Sequence, residues 1–198
     1  MGTCCWSSND AAVTRIVAGS VGGRRIGVPS HGVRPTSERV REALFSALEA
    51  EGAVRGAAVL DLCAGSGALG LEALSRGASH ALFVESDRRA AGVLRDNLAA
   101  LGLTGGQVRS APAATVLDSP APQAYELLLA DPPYAVGEDE VAGWLRSAAA
   151  NGWLAPGALV VLERPTRAGE FGWPDPLRRL HERRYGDTLL HLGYLAEP

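Results

Sequence analysis

Two motifs seventy residues apart hold most of the chemistry legible in this chain: Asp61-Leu62-Cys63-Ala64-Gly65-Ser66-Gly67-Ala68-Leu69-Gly70 and Asp131-Pro132-Pro133-Tyr134. In the first, Gly65, Gly67 and Gly70 satisfy the G-x-G-x-x-G spacing, and Glu85 follows Gly65 by twenty residues. Such a loop brings backbone close to a nucleoside, and such an acid reaches ribose hydroxyls. The glycines leave two cofactors open, NAD and S-adenosylmethionine. Asp61 favours the second, because a carboxylate before the loop suits a sulfonium and a zwitterionic methionine end better than an anionic pyrophosphate. The plain alternatives are a loop-bonding or helix-capping acid at Asp61 and an ordinary strand end at Glu85.

The second motif specifies a reaction. Pro132 has no N–H and a fixed φ, so the turn projects its carbonyls rigidly. An exocyclic amine on a base is a poor nucleophile, since its lone pair is delocalised into the ring. The Asp131 carboxylate and the Pro132 carbonyl, each accepting one N–H, would aim that lone pair at a methyl group. Pro133 stiffens the turn, and Tyr134 offers a face for the base to stack on. Holding amine and sulfonium in line is catalysis by orientation, with the surplus proton passing to Asp131 or water. A target base in a helix or structured RNA must be turned out to reach such a pocket.

The elements that must position these motifs alternate along the chain. Residues 13–18 and 24–28 are β-prone runs around a glycine-rich turn and predict a hairpin. Thr36 or Ser37 is placed to cap a helix carrying Val40, Leu44 and Leu48 on one face. The apolar run 57–62 reads as a buried parallel strand ended by the glycine loop. Further strands are expected at 81–84, 107–110, 125–130 and 158–162, with helices over 69–75, from Asp87 to about Leu101, and over 138–150. Residues 177–185 and 188–195 predict a closing antiparallel pair. The pattern is that of an α/β, Rossmann-like, doubly wound sheet. Asp61, Gly65, Glu85 and Asp131 all fall at predicted strand ends or just beyond, where such sheets bind ligands.

The 198 residues suffice for one α/β domain plus a small appendage, and no eighteen-residue apolar run predicts a membrane span. Cys4, Cys5 and Cys63 form neither a disulfide framework nor a zinc spacing. The four histidines share no ligand spacing, so no metal is expected. Residues 1–12 carry no secretory pattern and read as a disordered tail. A cytoplasmic location follows. The net charge is −3, every basic residue is Arg, and residues 13–41 carry six Arg against Glu38 alone, or +5, leaving −8 for the remainder. A basic amino-terminal segment on an acidic body suits a phosphate-contacting arm, though a solvated surface strip has the same composition.

From Arg15 to Tyr194 the chain resembles the RsmD family of bacterial methyltransferases, which modify the N2 amine of a guanine (G966-type) in 16S ribosomal RNA. The resemblance is carried by Arg15-Ile16-Val17-Ala18-Gly19, Gly23-Arg24-Arg25-Ile26, and Arg34-Pro35-Thr36-Ser37-Glu38-Arg39-Val40-Arg41-Glu42-Ala43-Leu44-Phe45. The glycine loop, Glu85-Ser86-Asp87, Asp131-Pro132-Pro133-Tyr134 and Tyr185-Gly186-Asp187-Thr188 complete it. The amino-terminal stretch discriminates, because the second motif also occurs in enzymes acting on DNA adenine N6 or a release-factor glutamine N5.

The resemblance implies a class I S-adenosylmethionine-dependent methyltransferase fold with a seven-stranded sheet over residues 36–198, and an RNA-binding hairpin extension over residues 13–35. The implied substrate is 16S rRNA within the small ribosomal subunit, and a monomer is expected. The implied cofactor set is Asp61, Cys63, Ala64, Gly65, Ser66 and Gly67, with Glu85, Ser86 and the backbone of Ala111. Arg34, Thr36 and Arg39 are expected near the target mouth, and Arg15, Arg24 and Arg25 against RNA. Cys63 departs from the family pattern, which has a bulkier apolar residue there, and reads as a small buried hydrophobe. Ser110-Ala111-Pro112-Ala113 lacks the acid or amide often used to read the adenine amine.

Overall fold

A computed structural model describes residues 13–29 and 36–197. The expected tail 1–12, the turn at 31–35 and Arg34 lie outside the described residues. The amino-terminal hairpin pairs β1 (Val13–Arg15) with β2 (Arg25–Gly27), followed by α1 (Glu38–Ala50). Then come β3 (Ala58–Leu62), α2 (Ala68–Ser75), β4 (His80–Glu85), α3 (Arg88–Leu101), β5 (Gly106–Ser110) and α4 (Ala113–Leu117). The chain continues with β6 (Tyr125–Ala130), α5 (Glu138–Ala150), β7 (Leu154–Pro165), β8 (Leu177–Tyr185) and β9 (Thr188–Leu195).

The seven-stranded sheet has the order β5-β4-β3-β6-β7-β9-β8. Five neighbouring strands are parallel, while β9 runs antiparallel to both β7 and β8. The chain winds outward from β3 to β5 on one side and from β6 on the other, so the switch point lies between β3 and β6. There Leu62 stands in register with Ala130, and the glycine loop and Asp131 leave adjoining strands at one level. A ligand crevice belongs at this place.

Local chemistry explains the element ends. The Ser37 hydroxyl accepts from the Val40 N–H at 3.3 Å and caps α1; Thr36 has another task. Asp87 caps α3, accepting from Arg89 and Ala90 at 2.8 Å each, and left-handed Gly102 ends it. Two elements exceed the sequence expectation. Strand β7 covers twelve residues, because extra residues on β7 between Leu154 and Leu159 let Leu154 pair with Tyr125 ahead of the main ladder. The one-turn α4 follows Pro112, whose extended backbone opens it.

The two faces of the sheet hold separate apolar cores. Phe45, Leu71, Phe83 and Leu94 pack under α1, α2 and α3; Leu60, Val116, Leu145 and Trp153 pack under α4 and α5. The hairpin joins the first core through Ile16 and Ile26. Its strands are shorter than expected because the Val17 and Ala18 amides donate to the Glu72 carboxylate, at 2.7 and 3.0 Å, instead of to a strand. On α3, the Asn97 amide pairs with both backbone groups of Gly27, at 2.8 and 2.9 Å. The buried Arg41 guanidinium donates to the Thr14 hydroxyl at 3.1 Å, the Arg15 carbonyl at 2.6 Å and the Thr36 carbonyl at 2.5 Å. Among the described residues no helix is long and apolar enough to cross a membrane.

Candidate active site

The glycine loop is built from its own amides and two acids. Glu85, at the end of β4, accepts the Gly65 N–H on one oxygen and the Asp87 N–H on the other, both at 2.8 Å. The Ala64 N–H donates to the Val84 carbonyl at 3.1 Å, and the Gly67 N–H to the Ala64 carbonyl at 2.7 Å. Behind the loop, Asp61 accepts the Gly70 N–H at 2.9 Å. Packing demands two of the glycines: a Cβ on Gly70 would lie 2.3 Å from the Phe83 ring, and one on left-handed Gly67 would lie 2.1 Å from Leu94.

This arrangement separates the two cofactors that the glycine spacing left open. A pyrophosphate requires unengaged N–H groups at a helix start. Here the amides of residues 64, 65, 67 and 70 are satisfied within the protein, which leaves those of residues 66, 68 and 69, and the two carboxylates behind the loop disfavour a pyrophosphate's negative charge. A nucleoside bearing hydroxyls and a positive centre fits better. A carboxylate has about four acceptor positions, and Glu85 uses two of them on backbone, leaving capacity for ribose hydroxyls.

The remaining loop residues are placed as follows. Asp61 is 1% exposed and has the loop-bonding role first; toward a bound cation it acts through its field from behind the loop. Burial pushes its carboxyl up to about 7. Cys63 is half-buried with φ +57°, and burial, reinforced by Glu85, Asp61 and Asp131, pushes its thiol up to about 12. It is therefore a neutral small side chain at neutral pH. Ser66 is buried, and its carbonyl accepts from Asn97 at 2.9 Å. Ser86 is exposed just beyond Glu85. The Ala111 N–H is taken by the Glu85 carbonyl at 3.0 Å, which leaves its carbonyl as the group suited to an adenine amine.

On the adjoining strand, Asp131 leaves β6 half-buried, Pro132 is buried, and Tyr134 is 57% exposed. The Arg167 guanidinium lies 5.2 Å from the centre of the Tyr134 ring, a cation–π contact that steadies the ring beside the turn. The Val136 N–H closes the turn onto the Pro133 carbonyl at 2.9 Å, and Arg164 ties down the Val136 carbonyl at 2.8 Å.

Sequence reading overlooked the partner of Asp131. Glu163 on β7 points one oxygen at the Thr36 hydroxyl, 2.6 Å away, and that hydroxyl lies 3.3 Å from Asp131. The second Glu163 oxygen accepts from the Thr188 hydroxyl at 3.4 Å. Burial and their mutual charge raise the Asp131 carboxyl well above its ordinary value, and burial raises Glu163 as well. The available signal was an acid inside the apolar run Val160-Val161-Leu162-Glu163, on the strand next to the one delivering Asp131.

The arginines divide. Arg15 is exposed and pairs with Glu38 at 2.7 Å. Arg24 is exposed and donates to the Ala100 and Leu101 carbonyls at the end of α3, at 2.5 and 3.2 Å. Arg25 and Arg39 are exposed. Thr36, expected near the target mouth, lies beside Asp131 at 3.3 Å.

A sheet with its last-but-one position reversed, an acid-backed glycine loop and an amine-accepting turn on the adjoining strand define a class I methyltransferase. Known proteins agree. A family model described as Conserved hypothetical protein 95 matches residues 14–194. Ribosomal RNA small subunit methyltransferase D of Escherichia coli K12 is 40% identical over 157 residues, covering 78% of this chain and 76% of that one. Among solved structures, yhhF from Escherichia coli superposes with a TM-score of 0.83 at 32% identity, covering 94% of this chain and all of the other. A hypothetical protein from Thermus thermophilus gives 0.76 at 33% identity, covering 93% and 99%. The chain belongs to this family, the RsmD family of methyltransferases.

Proposed function

We propose that the protein transfers a methyl group from S-adenosylmethionine to the N2 amine of one guanine, of the G966 type, in 16S rRNA, acting in the cytoplasm on the assembled or partly assembled small subunit. The observation that carries this reading is the level placement of Asp131 and the glycine loop on adjoining strands β6 and β3. The name of the 40%-identical relative, Ribosomal RNA small subunit methyltransferase D, supports the acceptor class.

Bound S-adenosylmethionine would supply an activated methyl on a sulfonium. Glu85 would hold the ribose, and the carboxylates of Asp61 and Asp131 would favour the positive charge. Asp131 and the Pro132 carbonyl would accept the two amine hydrogens, with Tyr134 against the base. The hairpin over residues 13–35, with exposed Arg25, and Arg39 on α1 would meet RNA phosphates.

The deciding experiment supplies labelled S-adenosylmethionine and small subunits from a strain lacking the modification, with mass spectrometry of the methylated nucleotide. N2-methylguanine at a single 16S position is expected. Label entering DNA adenine or a release-factor glutamine, with none in the subunit, would overturn the acceptor assignment.

A further inference from the structure

Three groups from distant parts of the chain meet beside the acceptor turn: the Thr36 hydroxyl before α1, the Asp131 carboxyl after β6 and the Glu163 carboxyl on β7. The hydroxyl has one proton to donate and lies 2.6 Å from Glu163 and 3.3 Å from Asp131. Ionised carboxylates only accept. Both contacts can be hydrogen bonds only if one carboxyl carries a proton. The charges facing the pair are Asp61 from β3, Arg164 from β7 and Arg41 from α1. Arg41 already donates to the Thr36 and Arg15 carbonyls, and Arg164 to the Val136 carbonyl. Neither cation forms an ion pair with these carboxyls among the described residues.

We propose that Glu163 is a positioning residue that holds this proton: neutral Glu163 donates to the Thr36 hydroxyl, which donates to Asp131 and keeps it an oriented anion. One Asp131 oxygen is then fixed by Thr36 and the other is presented to the target amine. The 2.6 Å contact at the Glu163 end lies within the range of an acid O–H donating to a hydroxyl. Burial and the charge of an ionised Glu163 raise the Asp131 carboxyl; a neutral Glu163 removes the second cause, and the greater exposed surface of Asp131 suits the partner that stays charged.

In the transfer, the amine lone pair forms the new C–N bond, the C–S electron pair returns to sulfur, and the surplus amine proton passes to Asp131. With Glu163 already neutral, that proton does not create a second competing acid upstream and leaves by the half-exposed Asp131. Loss of the Glu163 proton at alkaline pH would reverse Thr36, which would then donate to Glu163 and release Asp131 beside a second anion.

The inference rests on the amine-methylation reading, so its first test uses no substrate. Carbon-13 NMR of the whole protein, labelled in Asp and Glu carboxyls, should show the Glu163 signal protonated at neutral pH while Asp131 is ionised. Glu163→Gln should remove the first signal and leave the Asp131 titration nearly unchanged, as one neutral donor replaces another. Ionised Glu163 with protonated Asp131, or both ionised, overturns the proposal whatever the acceptor proves to be.

The second test is kinetic. Glu163→Ala should lower kcat about tenfold or more, with the KM for S-adenosylmethionine little changed, since orientation is lost and binding is kept. Glu163→Gln, whose amide can donate to Thr36, should recover most of that loss and remove the alkaline limb of the pH profile. Thr36→Val should behave like Glu163→Ala, and Thr36→Ser should rescue it. A Glu163→Gln variant as poor as Glu163→Ala while folded, or an unchanged alkaline limb, overturns the proposal. Wild-type protein inactive on small subunits, with the NMR result as expected, would instead refute the acceptor assignment alone.

Discussion

Glu85 accepts the Gly65 N–H at 2.8 Å with one oxygen and the Asp87 N–H at 2.8 Å with the other. One carboxylate therefore sets the curvature of the glycine loop and the start of α3 together. Glu85→Ala should weaken binding of S-adenosylhomocysteine by about tenfold to a hundredfold, the range of one or two hydrogen bonds to a charged group. Calorimetry measures it. Glu85→Gln should fall between, because its amide nitrogen cannot accept.

Asp131→Ala should abolish methyl transfer while leaving S-adenosylhomocysteine affinity within about twofold, because Asp131 orients the acceptor and leaves the loop amides untouched. Single-turnover transfer and calorimetry on the same preparation separate the two effects. Loss of cofactor binding would mean that Asp131 belongs to the other half of the site.

Asp61 imposes a pH dependence on stability. Its folded-state carboxyl is raised from 3.8 to about 7 by burial, the reverse of an ion-paired aspartate. Between these values the folded chain holds a proton that the unfolded chain has lost. Stability then falls as pH rises across this window, by about 1.4 kcal/mol per pH unit at the steepest. Urea unfolding between pH 4 and about 7 should show that slope, and Asp61→Asn, which still offers an oxygen to Gly70, should flatten it.

Arg24 and Arg25 are neighbours with opposite assignments. Arg24→Ala should lower the unfolding midpoint, costing about 1 kcal/mol for its lost contacts at the end of α3. Arg25→Ala should leave stability unchanged, weaken binding to 16S rRNA fragments, and reduce the salt slope by about one. Equal effects on RNA binding would return Arg24 to the phosphate-contacting set.

Glu72 anchors the hairpin. It is fully buried and accepts from Val17, Ala18 and Arg76. Glu72→Ala should cost about 3 kcal/mol or more, because it strips three donors and leaves a buried guanidinium short of a partner. Hydrogen exchange should show the Val17 and Ala18 amides losing protection before those of β3.

The sheet was legible in the sequence where burial and period act together. Strands such as β6 and β3 are mainly apolar runs closed by turn residues, and β8 and β9 fell where a closing antiparallel pair was expected. The cofactor loop was legible because glycine spacing is a local property. Glu163 was not, since its meaning arises only when β7 lies beside β6 and brings it to Thr36, 127 residues away in the chain. The contacts of Arg24 were illegible for a related reason: composition reports charge, while the α3 carbonyls it meets are contributed by residues 76 and 77 positions further on. The contacts of Thr36 with Asp131 and Glu163 were likewise unforeseen.

Arg41 gathers Thr14, Arg15 and Thr36 onto one guanidinium, so the chain leaves and re-enters the body at a single clasp. Lengthening the hairpin tip at Gly22-Gly23 adds only a slowly growing closure entropy and leaves the re-entry at Thr36 in place. A hairpin tied in this way can change length at its turn while Thr36 keeps its place beside Asp131.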